Sequence, residues 1–280
     1  MHNATMYCVC LDNKHLSTIK KLDYVPVGLG NAKFSKEWLK DDTLVNISHK
    51  NKYYSEYTFD YWFWKNILPK IEDNHWVGFC NYRRFWLNNK IKITENSKVE
   101  DVVIREIPAE WKNFDTILGN HVYINNLKLS KLIKHGIWSL IRNPSALFKS
   151  KRNIRFHFDM WHGNGNLDKA IDLVDDNDRE DFRKFTRQNI STRGCLYVCR
   201  SKKIMNNYYS SLFPWLERCE KIFGFNLKGY GNTRRYGFLA ERYHAYWFNK
   251  YTKSLSWPII FYDISKQVAF NKNRQTYINY

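Results

Sequence analysis

Two arginines that directly follow an apolar run are the side chains best suited to chemistry in this chain. Residues 75–80 form a nearly continuous apolar run typical of a buried strand, and Asn81-Tyr82-Arg83-Arg84 comes straight after it. Ligands of open α/β sheets bind outside the carboxyl ends of strands. Because guanidinium groups bind phosphate oxygens in pairs without a metal ion, this junction predicts a phosphate-bearing ligand. The alternative is a surface arginine pair that flanks a core strand.

A carboxylate late in the chain is the second candidate group. Glu241 lies in a predicted helix over residues 236–250, where it can remove the proton of a hydroxyl nucleophile as a general base. The alternative is a helix-surface glutamate paired with Arg234, Arg235 or Arg242. Glu241 and His244 also form one Glu-x-x-His, but a di-iron site needs two copies and the sequence has no second one.

An Asp-x-Asp pair is the candidate for a metal site. Two such carboxylates at a strand end supply the hard oxygen ligands that Mg²⁺ and Mn²⁺ prefer. Asp176-Asn177-Asp178 is the only such pair, and it lies inside an acidic run over residues 175–181. We interpret the run as solvated surface and expect no metal cofactor, with Mg²⁺ or Mn²⁺ at Asp176 and Asp178 as the alternative.

The charge balance favours partners that carry phosphate. The 280 residues include 45 Lys and Arg against 27 Asp and Glu, a formal net charge of +18. Such a charge attracts nucleic acid, anionic membranes and sugar nucleotides alike. A nucleic-acid-binding protein is therefore one rival interpretation, although the sequence has no ribonucleoprotein signature, zinc finger or basic zipper. A filter-binding assay over a range of salt concentrations would separate it from the others.

The composition excludes a disordered chain. With 44% hydrophobic and 17% aromatic residues, the chain can bury a sizeable core in one large domain, or in one domain with an inserted lobe. No apolar run approaches the roughly 20 residues of a membrane-spanning helix, and the first residues lack the pattern of a signal peptide. We expect a cytoplasmic protein whose six cysteines are free thiols.

The elements that must position these groups follow from apolar spacing and from turn residues. Strands are predicted over residues 5–11, 24–28, 75–80, 114–119 and 194–199. Helices are predicted over residues 54–68, 168–174, 201–223 and 236–250. Early strands followed by helices indicate an α/β sheet.

Residues 128–155 form a basic amphipathic segment broken at Pro144. Its apolar residues are Leu129, Leu132, Ile133, Ile137, Trp138, Leu140 and Ile141, and its basic residues include Lys131, Lys134, Arg142, Lys149, Lys151 and Arg152. This composition is typical of a segment that lies on a membrane surface. A noncatalytic membrane-surface scaffold built on this segment is a further rival interpretation, and liposome flotation with and without it would test the membrane contact.

Three segments in order resemble a known bacterial family. They are Asn-Ile-Ser at 46–48 through Tyr-Trp-Phe-Trp-Lys-Asn at 61–66, Val-Gly-Phe-Cys-Asn-Tyr-Arg-Arg-Phe at 77–85, and Gly-Phe-Leu-Ala-Glu-Arg at 237–242. They resemble the capsule and exopolysaccharide glycosyltransferases of domain of unknown function 4422, some of which are galactofuranosyltransferases. Tyr57 replaces the usual leucine after Glu56, and Asn81 replaces the usual histidine before Tyr82. The second change argues against proton transfer at that position.

The resemblance implies one nucleotide-sugar-binding domain over residues 1–280, of the GT-A-like type, with a mixed central sheet flanked by helices and 128–155 as an insertion. It implies transfer of a hexose, such as galactofuranose or galactose, from a nucleoside-diphosphate (UDP) sugar. The acceptor would be a lipid-linked or growing capsule, O-antigen or exopolysaccharide glycan. The protein would lie on the cytoplasmic surface of the inner membrane, without a metal cofactor and without nucleic acid as a partner.

Such a transferase must stabilise a diphosphate that gains negative charge as it leaves, which fixed cations can do. On this basis we predict Glu241, Arg83 and Arg84 as catalytic residues. The predicted donor-binding residues are Gly28, Asn46, Asn51, Glu56, Lys65, Asn66, Asn81, Tyr82 and Arg242. Lys65 and Asn66 have the alternative of being ordinary residues at a helix end. Trp161 and His162 are predicted on the acceptor side, where an aromatic ring can stack on a sugar.

Overall fold

A mixed β-sheet runs through the centre of the computed structural model, which describes residues 3–126, 129–192 and 194–266. The strands are β1 (Ala4–Cys10), β2 (Val25–Gly28), β3 (Leu39–Lys40), β4 (Trp76–Asn81), β5 (Arg84–Trp86), β6 (Thr116–Gly119), β7 (His121–Tyr123), β8 (Ile190–Thr192), β9 (Tyr197–Cys199), β10 (Ser254–Trp257) and β11 (Ile259–Phe261). The main order is β10-β6-β9-β4-β1-β2-β3, with β5 between β4 and β11. Strands β7 and β8 form a separate antiparallel pair.

The two central strands are parallel and buried, which explains their nearly continuous apolar sequences. β1 pairs with β4 so that Tyr7 lies beside Phe79 and Cys8 beside Cys80. Alternate side chains enter opposite faces of the sheet, and two separate cores result. One contains Tyr7 and Phe79, and the other contains Cys8 and Cys80. β9 runs antiparallel to both β4 and β6, so the sheet is mixed.

Helices cover both faces of the sheet. They are α1 (Leu16–Lys21), α2 (Asn51–Tyr54), α3 (Tyr57–Asn66), α4 (Val99–Val102), α5 (Leu129–Arg142), α6 (Ile154–His162), α7 (Asn166–Ile171), α8 (Asp176–Thr186), α9 (Lys202–Phe223), α10 (Tyr230–Thr233) and α11 (Arg235–Tyr251). The α/β class with a mixed sheet flanked by helices is confirmed. No helix among the described residues is long and apolar enough to span a membrane.

The helix predicted over residues 54–68 is present but begins only at Tyr57, because the helical backbone is interrupted at Ser55 between α2 and α3. Ser55 has a φ of 58° and a ψ of −136°, outside the helical region. The side-chain amide of Asn51 donates to the Ser55 carbonyl at 3.0 Å and to Thr58 Oγ1 at 3.0 Å. These bonds replace helical ones, and Ser55 and Glu56 line a cavity at the edge of the sheet.

The acidic run over residues 175–181 is not simply solvated surface, which corrects the interpretation from sequence. Asp178 is buried against α11, where it accepts hydrogen bonds from Tyr246 at 2.5 Å and from Lys250 at 2.8 Å. Burial acts to raise the pKa of this carboxyl, but the hydrogen bonds from Lys250 and two tyrosine hydroxyl groups together lower it below its usual value. Asp178 therefore fastens α8 to the helix that carries Glu241.

Helix α5 packs on α6 at a close approach made possible by a glycine. A Cβ added to Gly136 would lie 2.7 Å from Met160 Cγ. Leu132 and Leu140 on α5 form a small core with Ala146, Phe156 and Met160. The predicted amphipathic segment thus contains a 14-residue helix followed by short 3-10 turns after Asn143. Lys128, the first residue of the predicted segment, lies outside the described residues.

Candidate active site

A cavity of about 450 Å³ opens at the carboxyl ends of the central parallel strands. Val9 and Leu11 reach it from the end of β1, and Leu29 reaches it just after β2. Asn81 closes β4 on the same edge. Because parallel strands end at one edge of a sheet, these residues bring separate parts of the sequence to one site.

The Asn81–Arg84 turn forms one wall of this cavity. Asn81 Oδ1 accepts a hydrogen bond from the Arg83 backbone N–H at 3.1 Å, which closes the turn after β4. The backbone N–H of Tyr262 donates to the Arg83 carbonyl at 3.0 Å, and that of Ile264 donates to the Tyr82 carbonyl at 3.2 Å. One hydrogen bond within the turn and two from Tyr262 and Ile264 therefore hold its backbone, so both arginine side chains extend from a fixed backbone.

The two arginines of the turn differ in their partners. Arg83 Nε donates to Asp263 Oδ2 at 3.1 Å, and its guanidinium lies 4.7 Å from the centre of the Tyr82 ring. Arg84 Nε is buried and has no hydrogen-bond partner among the described residues. A buried donor left unpaired costs roughly 1–3 kcal/mol, a cost that an anionic ligand in the cavity would remove. Arg84 is thus better placed than Arg83 to meet a phosphate.

One face of α11 supplies the opposite wall. Gly237, Phe238 and Glu241 share one side of α11, and Arg234, the residue just before the helix, continues the same spacing; all four line the cavity. A Cβ on Gly237 would lie 3.0 Å from the Tyr54 carbonyl oxygen, so glycine allows α11 to approach α2 this closely. The approach brings Glu241 to the cavity.

Two carboxylates face the same cavity. Glu241 is half-buried and pairs with Arg242 Nη1 through Oε2 at 2.8 Å. Burial raises the pKa of the Glu241 carboxyl and nearby Glu56 adds to the rise, while Arg242 and Arg84 oppose it. Glu56 lies at the start of α3, and its Oε1 accepts a hydrogen bond from the thiol of Cys195. A raised pKa gives a carboxylate more affinity for a proton, as a general base requires.

Arg234 adds a third guanidinium group to the cavity, in addition to the two predicted from the sequence. Its Nη1 lies 3.4 Å from Ser55 Oγ and 3.3 Å from the Tyr230 hydroxyl, and it has no carboxylate partner among the described residues. Tyr230 also lines the cavity and is 69% exposed, so it offers an open aromatic face. The signal was the helical spacing, because Arg234 lies two turns before Glu241 on the same face.

The structure brings together all three predicted catalytic residues and four of the nine predicted donor-binding residues. Glu241, Arg83, Arg84, Asn51, Glu56, Asn81 and Tyr82 all line the cavity. The Tyr82 ring stacks on the buried His15 with the ring centres 5.4 Å apart. Three arginines and two glutamates at one cavity suit a ligand with at least two negative charges that reacts with a hydroxyl group.

Five predicted donor-binding residues do not line the cavity: Arg242, which lies behind Glu241, and four that have other contacts. Gly28 is needed for packing, because an added Cβ would lie 2.6 Å from the Phe34 ring. Asn46 caps its own turn by accepting from the Ser48 backbone N–H at 3.1 Å. Lys65 lies over the Trp64 ring, with Nζ 3.3 Å from its centre. Asn66 donates to the Val45 carbonyl and the Trp62 carbonyl, each at 2.8 Å.

Three further predicted residues form a layer behind the cavity wall. Arg242 contacts Glu241 and lies 3.4 Å from His157 Nδ1. His162 stacks on Phe238 with the ring centres 4.0 Å apart, and its Nδ1 donates to the Gly231 carbonyl at 2.9 Å. Burial and the charge of Arg242 lower the pKa of His162 to about 3, so the ring is neutral. Trp161 precedes it at the end of α6 and does not line the cavity.

The Asp-x-Asp pair does not converge on one ion. Asp176 is exposed and pairs with Arg179 at 2.7 Å, whereas Asp178 points to Lys250. Among the described residues, no group of three or more His, Cys, Asp or Glu side chains is arranged to hold a metal ion. Glu56 and Glu241 are the carboxylates that line the cavity.

The contact between α10 and α6 gives a first prediction. A Cβ on Gly231 would lie 2.2 Å from the Trp161 carbonyl oxygen, so Gly231→Ala must push α10 away and displace Tyr230. We expect a loss of about 1–3 kcal/mol in the free energy of unfolding, measured by urea denaturation. Ligand affinity at the cavity should fall with it. Gly165→Ala is the control, because it has open space around it and only its φ of 76° costs energy, about 1 kcal/mol. Equal effects of both changes on ligand affinity would contradict this role of Gly231.

The family model of a domain of unknown function, DUF4422, matches residues 6–253. The chain belongs to this family. A comparison with solved structures found a match to the structure titled "WbbM bifunctional glycosytransferase apo structure", with 21% identity and a TM-score of 0.58. The match covers 92% of this chain and 45% of that chain, so this DUF4422 protein spans less than half of that structure's length. The likeness shows a shared fold. No curated protein matched the chain.

Proposed function

We propose that this DUF4422 protein is a glycosyltransferase that moves a hexose from a nucleoside-diphosphate sugar to a hydroxyl group of a glycan. The observation that carries the proposal is the convergence of Arg84, Arg234 and Glu241 on one cavity at the carboxyl ends of the parallel strands. Cations there can bind a diphosphate, and a carboxylate can accept a proton. The fold shared with WbbM, whose title names a bifunctional glycosyltransferase, supports the same reaction class.

The proposed reaction has one bond made and one broken. The acceptor oxygen bonds to the anomeric carbon, and the bond between that carbon and the phosphate oxygen breaks. The acceptor proton passes to the Glu241 carboxylate, and the nucleoside diphosphate leaves with an added negative charge. Arg84 and Arg234 stabilise this charge from fixed positions, and preorganised charges of this kind often make the largest contribution to catalysis.

The finer assignments rest on the family resemblance. We propose galactofuranose or galactose as the hexose, and a lipid-linked or growing capsule, O-antigen or exopolysaccharide glycan as the acceptor. The protein would work at the cytoplasmic surface of the inner membrane.

A panel of purified nucleotide sugars tests the donor: hydrolysis or transfer of one UDP-hexose is expected. Binding of RNA or DNA at physiological salt, without turnover of any nucleotide sugar, would contradict the proposal.

Turnover of the donor is predicted to continue in excess chelator. Arg83, Arg84 and Arg234 would neutralise the diphosphate in place of Mg²⁺ or Mn²⁺, because guanidinium groups bind phosphate oxygens directly. The measurement is the rate of UDP release with EDTA, compared with added Mn²⁺. Activity that EDTA abolishes and Mn²⁺ restores would show that a metal is required. In that case, two variants would locate the metal. If Mn²⁺ restored activity in Asp176→Asn but not in Glu56→Gln, the metal would lie in the cavity.

A further inference from the structure

Helix α5 has one face buried and the opposite face apolar but exposed. The buried face consists of Leu132 and Leu140, which pack against the residues of α6. The exposed residues are Ile133, Ile137, Trp138 and Ile141 on the helix, and Leu147 and Phe148 just after it. We call these six residues the outer face. Ile133, Ile137 and Ile141 follow one another at intervals of four, so they form a continuous stripe.

The outer face is much more exposed than packing within the chain would leave it. Trp138 is 72% exposed, Phe148 is 70% exposed and Ile141 is 61% exposed. Single exposed apolar side chains are normal on a protein surface, but a contiguous group marks a surface that binds a partner or a membrane. The buried face already holds α5 in place, so the outer face is not needed for that purpose.

Basic side chains surround the outer face, and we call Lys134, Arg142, Lys149 and Lys151 its basic rim. Lys134, Arg142, Lys149 and Lys151 are exposed and form no ion pair within the described part of the chain. A recess beside Phe148 is lined by Lys151, Arg152, Arg187 and neutral residues, with no acidic side chain. Arg152 donates to the carbonyls of Ala146 and Leu147, so it also fixes the loop that carries Phe148.

We propose that the outer face and its basic rim dock on an anionic lipid membrane. Trp138 and Phe148 would enter the interface between headgroups and acyl chains, where amphipathic helices place their aromatic and aliphatic residues. The basic rim would contact lipid phosphates, to which juxtamembrane lysines and arginines are attracted. A second copy of the chain would bring a second uncompensated basic rim, so charge disfavours self-association through this face. This inference rests on the membrane location in the proposed function and names the surface that would provide it, but vesicle binding can succeed or fail independently of sugar transfer.

The outer face is connected to the cavity through α6. The turn that carries Phe148 leads into α6, which ends at His162, and His162 stacks on the cavity residue Phe238. A single helix of nine residues, α6, therefore connects the outer face to the cavity. An acceptor tethered to the same membrane would be presented near the cavity.

Vesicle sedimentation of the full chain tests the proposal. The vesicles are phosphatidylcholine alone and phosphatidylcholine with phosphatidylglycerol. We expect binding to the anionic vesicles only, with a partition coefficient that falls as salt rises. Each basic side chain at an anionic surface changes partitioning by about fivefold. Lys134→Glu with Lys149→Glu should therefore weaken binding by at least about 25-fold, and Trp138→Ser with Phe148→Ser by at least about tenfold.

Matched controls separate this surface from general effects of charge and exposure. Lys90→Glu with Lys92→Glu makes the same charge change at exposed positions elsewhere. Val45→Ser with Ile222→Ser removes two other exposed apolar side chains, which are 55% and 59% exposed. Both controls should bind as the wild type does, and so should Trp138→Phe. Equal losses in the controls, or unchanged binding in the outer-face variants, would overturn the proposal. The proposal would also be overturned if the protein did not bind vesicles but self-associated, and if Trp138→Ser with Phe148→Ser abolished that self-association.

Discussion

Glu241→Gln is expected to lower the rate of hexosyl transfer by about 10² to 10⁴ fold and to leave donor affinity nearly unchanged. Glutamine keeps the shape of the side chain and can still accept a hydrogen bond from Arg242, but its amide oxygen is not a useful base. The measurement is the rate of transfer at saturating donor, with donor affinity determined separately by titration. Thermal unfolding of the variant should resemble that of the wild type.

Two further glutamates test whether the effect belongs to Glu241. Glu56→Gln changes the other carboxylate of the cavity, whose Oε1 accepts from the Cys195 thiol. Glu217→Gln changes an exposed glutamate on α9 and should have no effect. If transfer by Glu241→Gln stays within about threefold of wild type while Glu56→Gln loses activity, the base is Glu56. If Glu241→Gln unfolds more easily and binds donor poorly, the residue serves mainly to hold Arg242.

The dependence of the transfer rate on pH distinguishes a general base at Glu241 from a residue with only a structural role. Because burial raises the pKa of Glu241, its basic form should be lost at a higher pH than for an ordinary glutamate, whose pKa is about 4.3. Transfer should therefore fall as the pH drops through that raised pKa. The acidic limb of the profile should disappear from the residual activity of Glu241→Gln.

Arg84→Ala is expected to reduce donor turnover by about 10² to 10³ fold, the usual effect of removing one preorganised donor to a developing negative charge. Its Nε is buried without a partner among the described residues, so a leaving diphosphate would supply the missing acceptor. Arg84→Lys should recover only part of the activity, because an ammonium group cannot bind two phosphate oxygens in a planar fork. The measurement is UDP release in single-turnover experiments.

Arg83→Ala should have a smaller effect on turnover than Arg84→Ala. Arg83 already pairs with Asp263, and its side chain is 49% exposed, so solvent weakens its contribution to a ligand. Arg105→Ala, an exposed arginine that donates to the Lys21 carbonyl, is the neutral control. Equal defects in Arg83→Ala, Arg84→Ala and Glu241→Gln would mean that the three residues form one structural network and not a divided active site.

The position of the site could be predicted from local sequence because the run before Asn81 is long, apolar and followed at once by polar residues. Arg83 and Arg84 follow β4 closely, so predicting where they lie requires only the position and direction of that strand. The late helix was equally clear, and its observed bounds, Arg235–Tyr251, differ from the prediction by one residue at each end. Local pattern sufficed in both cases because each element buries most of its apolar face.

The structure differs from the sequence predictions where the position of a side chain depends on helical register or on a distant contact. Lys65 lies nine residues after Glu56, which is about two and a half helical turns, so it points away from the cavity that Glu56 lines. At the interruption, the Ser55 carbonyl accepts a hydrogen bond from Asn51, and the Ser55 hydroxyl contacts Arg234, a residue 179 positions further along the chain. Apolar spacing carries no information about such a contact.

The tie between Arg83 and Asp263 has a consequence for the biosynthesis of the protein. The two residues are 180 positions apart, and the backbone bonds from Tyr262 and Ile264 to the same turn span a similar separation. A ribosome that adds 5–20 residues per second needs roughly 10 to 40 s to cover that distance. During this interval β4 can already pair with β1, but the turn that follows it lacks its final fastening. The nascent chain can therefore form the β1–β4 pair well before β10 and β11 complete the sheet, and a ribosome stalled before residue 259 holds an Asn81–Arg84 turn that lacks the contacts from β11, Tyr262, Asp263 and Ile264.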